Sequence, residues 1–196
     1  EDRSRFDQFT ALEILERELH FVTAAGVEFR GNSTLGRDLD LQELQHRFDA
    51  VLVAVGASEH LKLGIPGEDS PHILPALEFL KRAREKKAAP PGDRVVVIGG
   101  GNAAMDAAQT ALRLGAGNVT VVCLEKREEM PAFSWSIAEA EDEGISIHNA
   151  WGPQAFKFTR ERLTTVIFRK CTALYDAAGR FSPLYDESKS MHLPCA

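Results

Sequence analysis

The 196-residue chain has only three cysteines, Cys123, Cys171 and Cys195. They are widely spaced, with no CxxC or Cys/His pairing, and an odd count argues against a disulfide framework. A reducing cytoplasm is the expected compartment. Six histidines (His20, His46, His60, His72, His148 and His192) are scattered with no pair at ligand spacing, so neither a metal site nor a histidine-based catalytic group is expected. No apolar run approaches the roughly 20 residues a membrane-spanning helix needs, so no membrane insertion is expected. Positive charge is also short: the net charge is −6, which leaves nucleic-acid binding without electrostatic support. The densest basic cluster, residues 81–87, falls in a helical pattern and reads as a solvated face. The polar start Glu1-Asp2-Arg3-Ser4-Arg5 excludes a signal peptide there. With no initiating Met, the chain is expected to be a piece of something longer.

What is present is an ordinary globular mixture, 44% hydrophobic and 27% charged. Leu12, Leu15, Leu19 and Val22 recur at helical spacing before Gly26. Val27-Glu28-Phe29 reads as a short strand. Asp40 and Glu43 form a capping-box pattern for a helix with Leu41, Leu44 and Phe48 facing inward. The continuous apolar run Ala50–Gly56 reads as a buried strand. Turn formers crowd residues 64–71, and a helix is expected from Ala76 to about Lys87, with Pro75 suited to its first turn. The stretch Ala88-Ala89-Pro90-Pro91-Gly92-Asp93 is a stiff hinge. Then come a strand at Arg94–Ile98, a helix at Asn102–Leu114, a strand at Val119–Leu124, a helix at Ser134–Glu143 and a strand at Ile145–His148. Beyond Trp151, short alternating stretches at residues 155–158, 163–169 and 173–175 read as an antiparallel meander. Trp135 and Trp151 are expected to be core or packing residues rather than cofactor stackers, and Cys123 to lie in a buried strand.

The motif that carries chemistry is Gly99-Gly100-Gly101-Asn102-Ala103-Ala104. A lone GxGxxG says little, but Gly99-x-Gly101-x-x-Ala104 follows an apolar strand, opens a helix and precedes a second strand, which is the context of a dinucleotide site. Gly99 suits the tight turn, Gly101 lets backbone approach phosphate, and Ala104 lets helix and strand pack closely. The bland alternative is a glycine turn without a ligand. Glu125 lies 21 residues after Ala104. An acid there accepts hydrogen bonds from the adenosine ribose and repels a 2′-phosphate, favouring NAD(H) over NADP(H). Against this, Lys126 and Arg127 could pair with that phosphate, and Glu125 could be only a solvated strand-end charge. Asp106, one turn beyond Asn102, could reach the nicotinamide carboxamide or simply stabilise the helix start. Asn102 is a plausible local cap whose amide could also touch the ligand.

The run Val95–Asp106 resembles the pyridine-nucleotide domain of the glutamate synthase small-subunit family, which are FAD-dependent NAD(P)H oxidoreductases. Residues 127–132 resemble the family's loop after the second strand, residues 63–69 its domain crossover, and residues 179–187 its meander end. Phe48–Ala57 resembles the strand and turn that approach FAD. The resemblance implies flavin contacts from Ala54, Val55, Gly56 and Ala57. It also implies an α/β fold: a Rossmann-like parallel sheet with helices on both faces and an antiparallel β-meander, beside part of a second, FAD-type domain. Residues 1–70 would be the partial FAD-binding domain and 71–196 the NAD(P)-binding domain. The family commonly has two arginines where this chain has Leu124-Glu125, and their loss again favours NAD(H). Neither the family's N-terminal flavin glycine motif nor its C-terminal Gly-Asp turn is present, so FAD would belong to the full-length protein. Hydride would pass from the nicotinamide dinucleotide to FAD, and electrons onward, through iron–sulfur clusters outside this chain or to an electron-accepting partner subunit. A non-catalytic NAD(H) redox sensor or a scaffold domain are the alternatives.

Overall fold

The computed structural model describes residues 8–56, 60–89 and 91–195, with backbone only for residues 8–12. The chain divides into two compact units, Glu1–Gly56 and Ala57–Ala196.

In the first unit, helix α1 spans Gln8–Ala24 and helix α2 spans Leu41–Arg47. Asp40 caps α2 as expected, its carboxylate accepting from the N–H groups of Gln42 (2.8 Å) and Glu43 (3.1 Å). Two expected strands and an inward helix face are corrected. Val27–Phe29 and Ala50–Gly56 form no strand. Leu52 is 90% exposed and Val55 76%, and Leu41 and Phe48 are exposed rather than inward. A parallel strand holds only when a neighbour satisfies its N–H and C=O groups. The described residues of this unit offer Ala50–Gly56 no such partner.

The second unit carries the rest. Helix α3 (Ala76–Arg84) starts after Pro75, whose φ of −60° suits the cap, and it ends earlier than expected. Strand β1 (Arg94–Ile98), helix α4 (Asn102–Arg113), strand β2 (Asn118–Val122), helix α5 (Ser134–Asp142) and strand β3 (Ser146–His148) then alternate. They build a parallel sheet in the order β1-β2-β3, with Arg94 opposite Asn118 and Thr120 opposite Ser146. Strands β4 (Trp151–Thr159), β5 (Arg162–Tyr175) and β6 (Phe181–Pro194) form the antiparallel meander. The expected stretch 155–158 lies inside β4, while 163–169 and 173–175 are parts of the single strand β5; β6 was not expected as a strand.

The continuous apolar runs of β1 and β2 follow from coverage on both faces. Side chains alternate across a strand. Val95, Val97, Val119 and Val121 pack with Met105, Ala108 and Ile137 on the helix side. Val96, Ile98 and Val122 pack with Phe156, Val166 and Phe168 of the meander. The α/β class is therefore as expected, with the sheet's second face covered by the antiparallel sheet. On the helix side, Glu143 at the end of α5 accepts from Gln109 (3.0 Å) and Arg113 (2.9 Å) of α4. Met105, Ala108, Ala140, Val121 and Val122 are wholly buried.

Candidate nucleotide site

The turn from β1 into α4 extends the sheet by one bond, from Gly99 N–H to the Val122 carbonyl (2.9 Å). Gly99 has φ +135°, a conformation that L side chains rarely adopt. A Cβ added to it would lie 3.7 Å from the Ala104 methyl, which is the close helix–strand packing the small residue at 104 was expected to permit. Gly100 is buried, and a Cβ there would stand 2.7 Å from Glu125 Oε2 and 3.2 Å from Cys123 Cβ. The Glu125 carboxylate thus rests against the glycine turn, although Glu125 lies in the loop that follows the neighbouring strand β2.

Gly101 differs from both. It is the N-cap of α4 with φ −92° and ψ 173°, backbone that any residue adopts. A Cβ on it would meet nothing closer than Pro131 Cγ at 4.0 Å. Nothing among the described residues asks for glycine at this position. Among the described residues, the N–H groups of Gly101, Asn102 and Ala103 find no acceptor, as expected for a first helical turn. They gather at the positive end of a 12-residue helix. Bare N–H groups, a favourable dipole and an open approach together suit an anion such as a diphosphate.

Asn102 is not the cap, because Gly101 holds that place. Its Oδ1 instead accepts from Phe133 N–H (2.9 Å), while Ala132 N–H donates to the Gly100 carbonyl (3.1 Å). The loop after β2, anchored by buried Met130 and Ala132, therefore braces the glycine turn from outside. Sequence reasoning missed this brace; its only signal was the apolar pair Met130 and Ala132 after a charged run. Asp106 is exposed, as is Ala103, on the outer side of α4. Lys126 lies 3.8 Å from Glu129, and Arg127 pairs with Glu141 of α5 at 2.6 Å. Both are exposed pairs, and such pairs are weak. Leu124 is turned under the meander, since a Cβ on Gly152 would meet Leu124 Cδ2 at 2.8 Å.

The Cys123 thiol is buried, and its pKa is pushed up to about 11, first by burial and then by the charge of Glu125. Asn149 Nδ2 lies 3.3 Å from its sulfur. Trp135 is corrected: it is 61% exposed, stacked on Phe133 with ring centroids 5.7 Å apart. It opens α5, and Ser136 and Ile137 take the inward face. Trp151 is half-buried, with the Lys170 ammonium 4.9 Å from its ring centre.

Ala54, Val55 and Gly56 belong to the first unit, where all three are exposed, and Ala57 lies outside the described residues. A groove of about 760 Å³ runs along the open edge of β1, lined by Leu63, Ile73, Phe79, Ile98 and Cys195 among others. It contains none of residues 99–106 or 125–127. It exists because β1 is an edge strand of the sheet, and it is separate from the glycine turn. Among the described residues no three His, Cys, Asp or Glu side chains gather as a metal site, and no helix is long and apolar enough to cross a membrane.

A family model described as pyridine nucleotide-disulphide oxidoreductase matches residues 6–173. The chain is 36% identical over 175 residues to NADPH-Fe(3+) oxidoreductase subunit beta of Geobacter sulfurreducens, a match covering 87% of this chain and 26% of that protein. It is 32% identical over 190 residues to NADP(+)-dependent formate dehydrogenase subunit beta of Moorella thermoacetica, covering 93% and 26%. It is 33% identical over 144 residues to the glutamate synthase (NADPH) small chain of Escherichia coli, covering 68% and 30%. The chain thus spans between a quarter and a third of the length of these relatives. Among solved structures, Mycobacterium tuberculosis FprA in complex with NADPH superposes with a TM-score of 0.74 at 21% identity, covering 92% of this chain and 56% of that one. At that identity the likeness is one of fold.

Proposed function

Since the chain belongs to the pyridine nucleotide-disulphide oxidoreductase family, we propose that Gly99–Ala104 holds the pyrophosphate of a nicotinamide dinucleotide in an FAD-dependent NAD(P)H oxidoreductase. The observation that carries this reading is Gly101. Its backbone conformation is ordinary and its Cβ position is open, so only something outside the protein gives a reason for its missing side chain. The N–H groups of Gly101, Asn102 and Ala103 would hold the diphosphate. Gly99, Gly100 and Ala104 shape the turn, and Asp106, exposed one helical turn on, would approach the nicotinamide end.

Glu125 would accept from the adenosine ribose hydroxyls. The relatives' names specify NADPH or NADP(+), so a preference for NAD(H) draws no support from them. It rests on the acidic group beside Gly100 and on Leu124 being spent on packing. Lys126 and Arg127 are the cations that would oppose it, once drawn from their exposed partners Glu129 and Glu141.

A bound nicotinamide dinucleotide would supply a hydride, and FAD would accept it. This chain's share is to hold and orient the dinucleotide. Residues 1–70 are proposed as part of the FAD-binding domain and 71–196 as the NAD(P)-binding domain. The flavin assignment of Ala54, Val55, Gly56 and Ala57 rests on family resemblance alone. An electron-accepting partner fits relatives that are themselves named as subunits or small chains. Iron–sulfur clusters would lie outside this chain, and three buried free thiols suit a reducing cytoplasm.

Calorimetric titration with NADH and NADPH tests the site. Gly101→Val should weaken binding of both by well over tenfold, which is about 1.4 kcal/mol, by placing a branched side chain where the diphosphate passes. Undiminished affinity in a folded variant would reject the assignment.

A further inference from the structure

We infer that the corner Asn149–Ala150, by gripping the carbonyl of Glu125, sets where the Glu125 carboxylate stands and thereby which nicotinamide dinucleotide the site prefers. The inference rests on reading Gly99–Ala104 as the pyrophosphate site and Glu125 as its ribose contact. Asn149 is then a positioning residue that acts through Glu125.

The physical problem lies at the end of β2. The parallel ladder stops at Val122 opposite His148, yet Glu125 sits three residues further on. A loop carbonyl with no partner would let that residue wander, and its carboxylate would leave Gly100. The corner between β3 and β4 solves this by wrapping the strand end. Cys123 N–H donates to the His148 carbonyl (3.1 Å), and Trp151 N–H donates to the Cys123 carbonyl (2.9 Å). Three donors then converge on the Glu125 carbonyl: Ala150 N–H at 2.8 Å and Asn149 Nδ2 at 3.3 Å from the corner, and the Cys123 thiol at 3.6 Å from the strand end itself. The same Asn149 amide reaches Cys123 Sγ at 3.3 Å, so one side chain ties both residues that press on Gly100.

The backbone is bent to make this grip. Ala150 has φ +61°, left-handed for a residue with a Cβ, at a cost of about 1–2 kcal/mol. That conformation turns its N–H toward Glu125 in the residue after the Asn149 side chain does the same. The corner is in turn fixed to the meander. Cys171 N–H donates to the Ala150 carbonyl (2.9 Å), and Lys170 Nζ donates to the Asn149 carbonyl (3.4 Å). The antiparallel sheet, through this corner, thus orients the ribose-reading acid.

The test compares Asn149→Ala, Glu125→Gln and the double variant in the 196-residue chain. Affinities for NADH and NADPH are measured by calorimetry, and alkylation of Cys123 is followed by peptide mass spectrometry. Each single variant should shrink the NADH-over-NADPH ratio by roughly fivefold, the effect of about 1 kcal/mol. The double variant should shrink it no further than Glu125→Gln alone. Cys123 should alkylate faster in Asn149→Ala, since the corner no longer closes over it. Asn149→Asp keeps the size but swaps donor for acceptor, and should shift the ratio the same way if the alanine variant folds poorly. An unchanged ratio in both Asn149 variants, or additive effects in the double, overturns the inference while leaving the site reading intact. No dinucleotide binding by the parent chain, or no effect of Glu125→Gln, overturns the site reading and this inference with it.

Discussion

Gly99, Gly100 and Gly101 are neighbours, yet each lacks a side chain for a different reason. Gly99 needs its positive φ, Gly100 makes room for the Glu125 carboxylate, and Gly101 leaves space that nothing in the protein fills. Beside them, Cys123 shows what the same crowding does to a titrating group. Its folded pKa of about 11 lies above the unfolded value of about 8.5. The stability tied to its neutral form is therefore complete below about pH 8.5 and is lost as pH rises through the folded value. Urea midpoints taken from pH 8 to 11 should fall more steeply for the parent chain than for Cys123→Ala. Parallel slopes would mean that the thiol is not held neutral by its surroundings.

At the scale of elements, α4 does most to organise the second unit. It contacts α3, α5, β1 and β2, and its buried face is mostly alanine, with Met105 wholly buried among them. Small residues let the helix lie close to the sheet, which is what brings its N-terminus against the glycine turn. Met105 fills the space that the alanines leave. Met105→Ala should therefore cost about 2–5 kcal/mol, read as a shift in urea midpoint with helical content retained below it. A shift under about 1 kcal/mol would mean that the surroundings collapse into the gap. Helix α1 makes the opposite case. Leu15, Leu19 and Val22 recur at the helical spacing its periodicity predicts, yet each is about half exposed. Periodicity makes the helix, but only a packed partner buries its stripe.

For the whole molecule, the two units differ in how their backbone is satisfied. Residues Val119–Val122 sit in a three-stranded parallel sheet covered on both faces, whereas Ala50–Gly56 has no ladder. Hydrogen exchange should follow this difference, with the amides of β2 slowest and those of residues 51–56 near the rate of an open chain. Strong protection at 51–56 would reveal a strand that pairs there. The sequence made the alternating strands and helices from Arg94 to His148 legible, because β1, α4 and α5 are each followed closely by glycine. It misjudged Ala50–Gly56 because an apolar β-branched run states a preference for burial and cannot supply the neighbour that burial requires. It misjudged Trp135 for a related reason: an aromatic at a helix start carries no sign of which way the first turn faces.

What the residues settled by themselves was local: the glycine turn between a strand and a helix, the cap at Asp40, and the alternation that gives each strand two apolar faces. These follow from backbone sterics and side-chain spacing, which act over a few residues. Tertiary structure alone decided that Glu125 rests on Gly100, that Asn102 serves the loop rather than its own helix, and that the far corner at Asn149 grips the strand end. Those contacts join groups 24 to 31 residues apart. Their geometry exists only once the sheet has set its register.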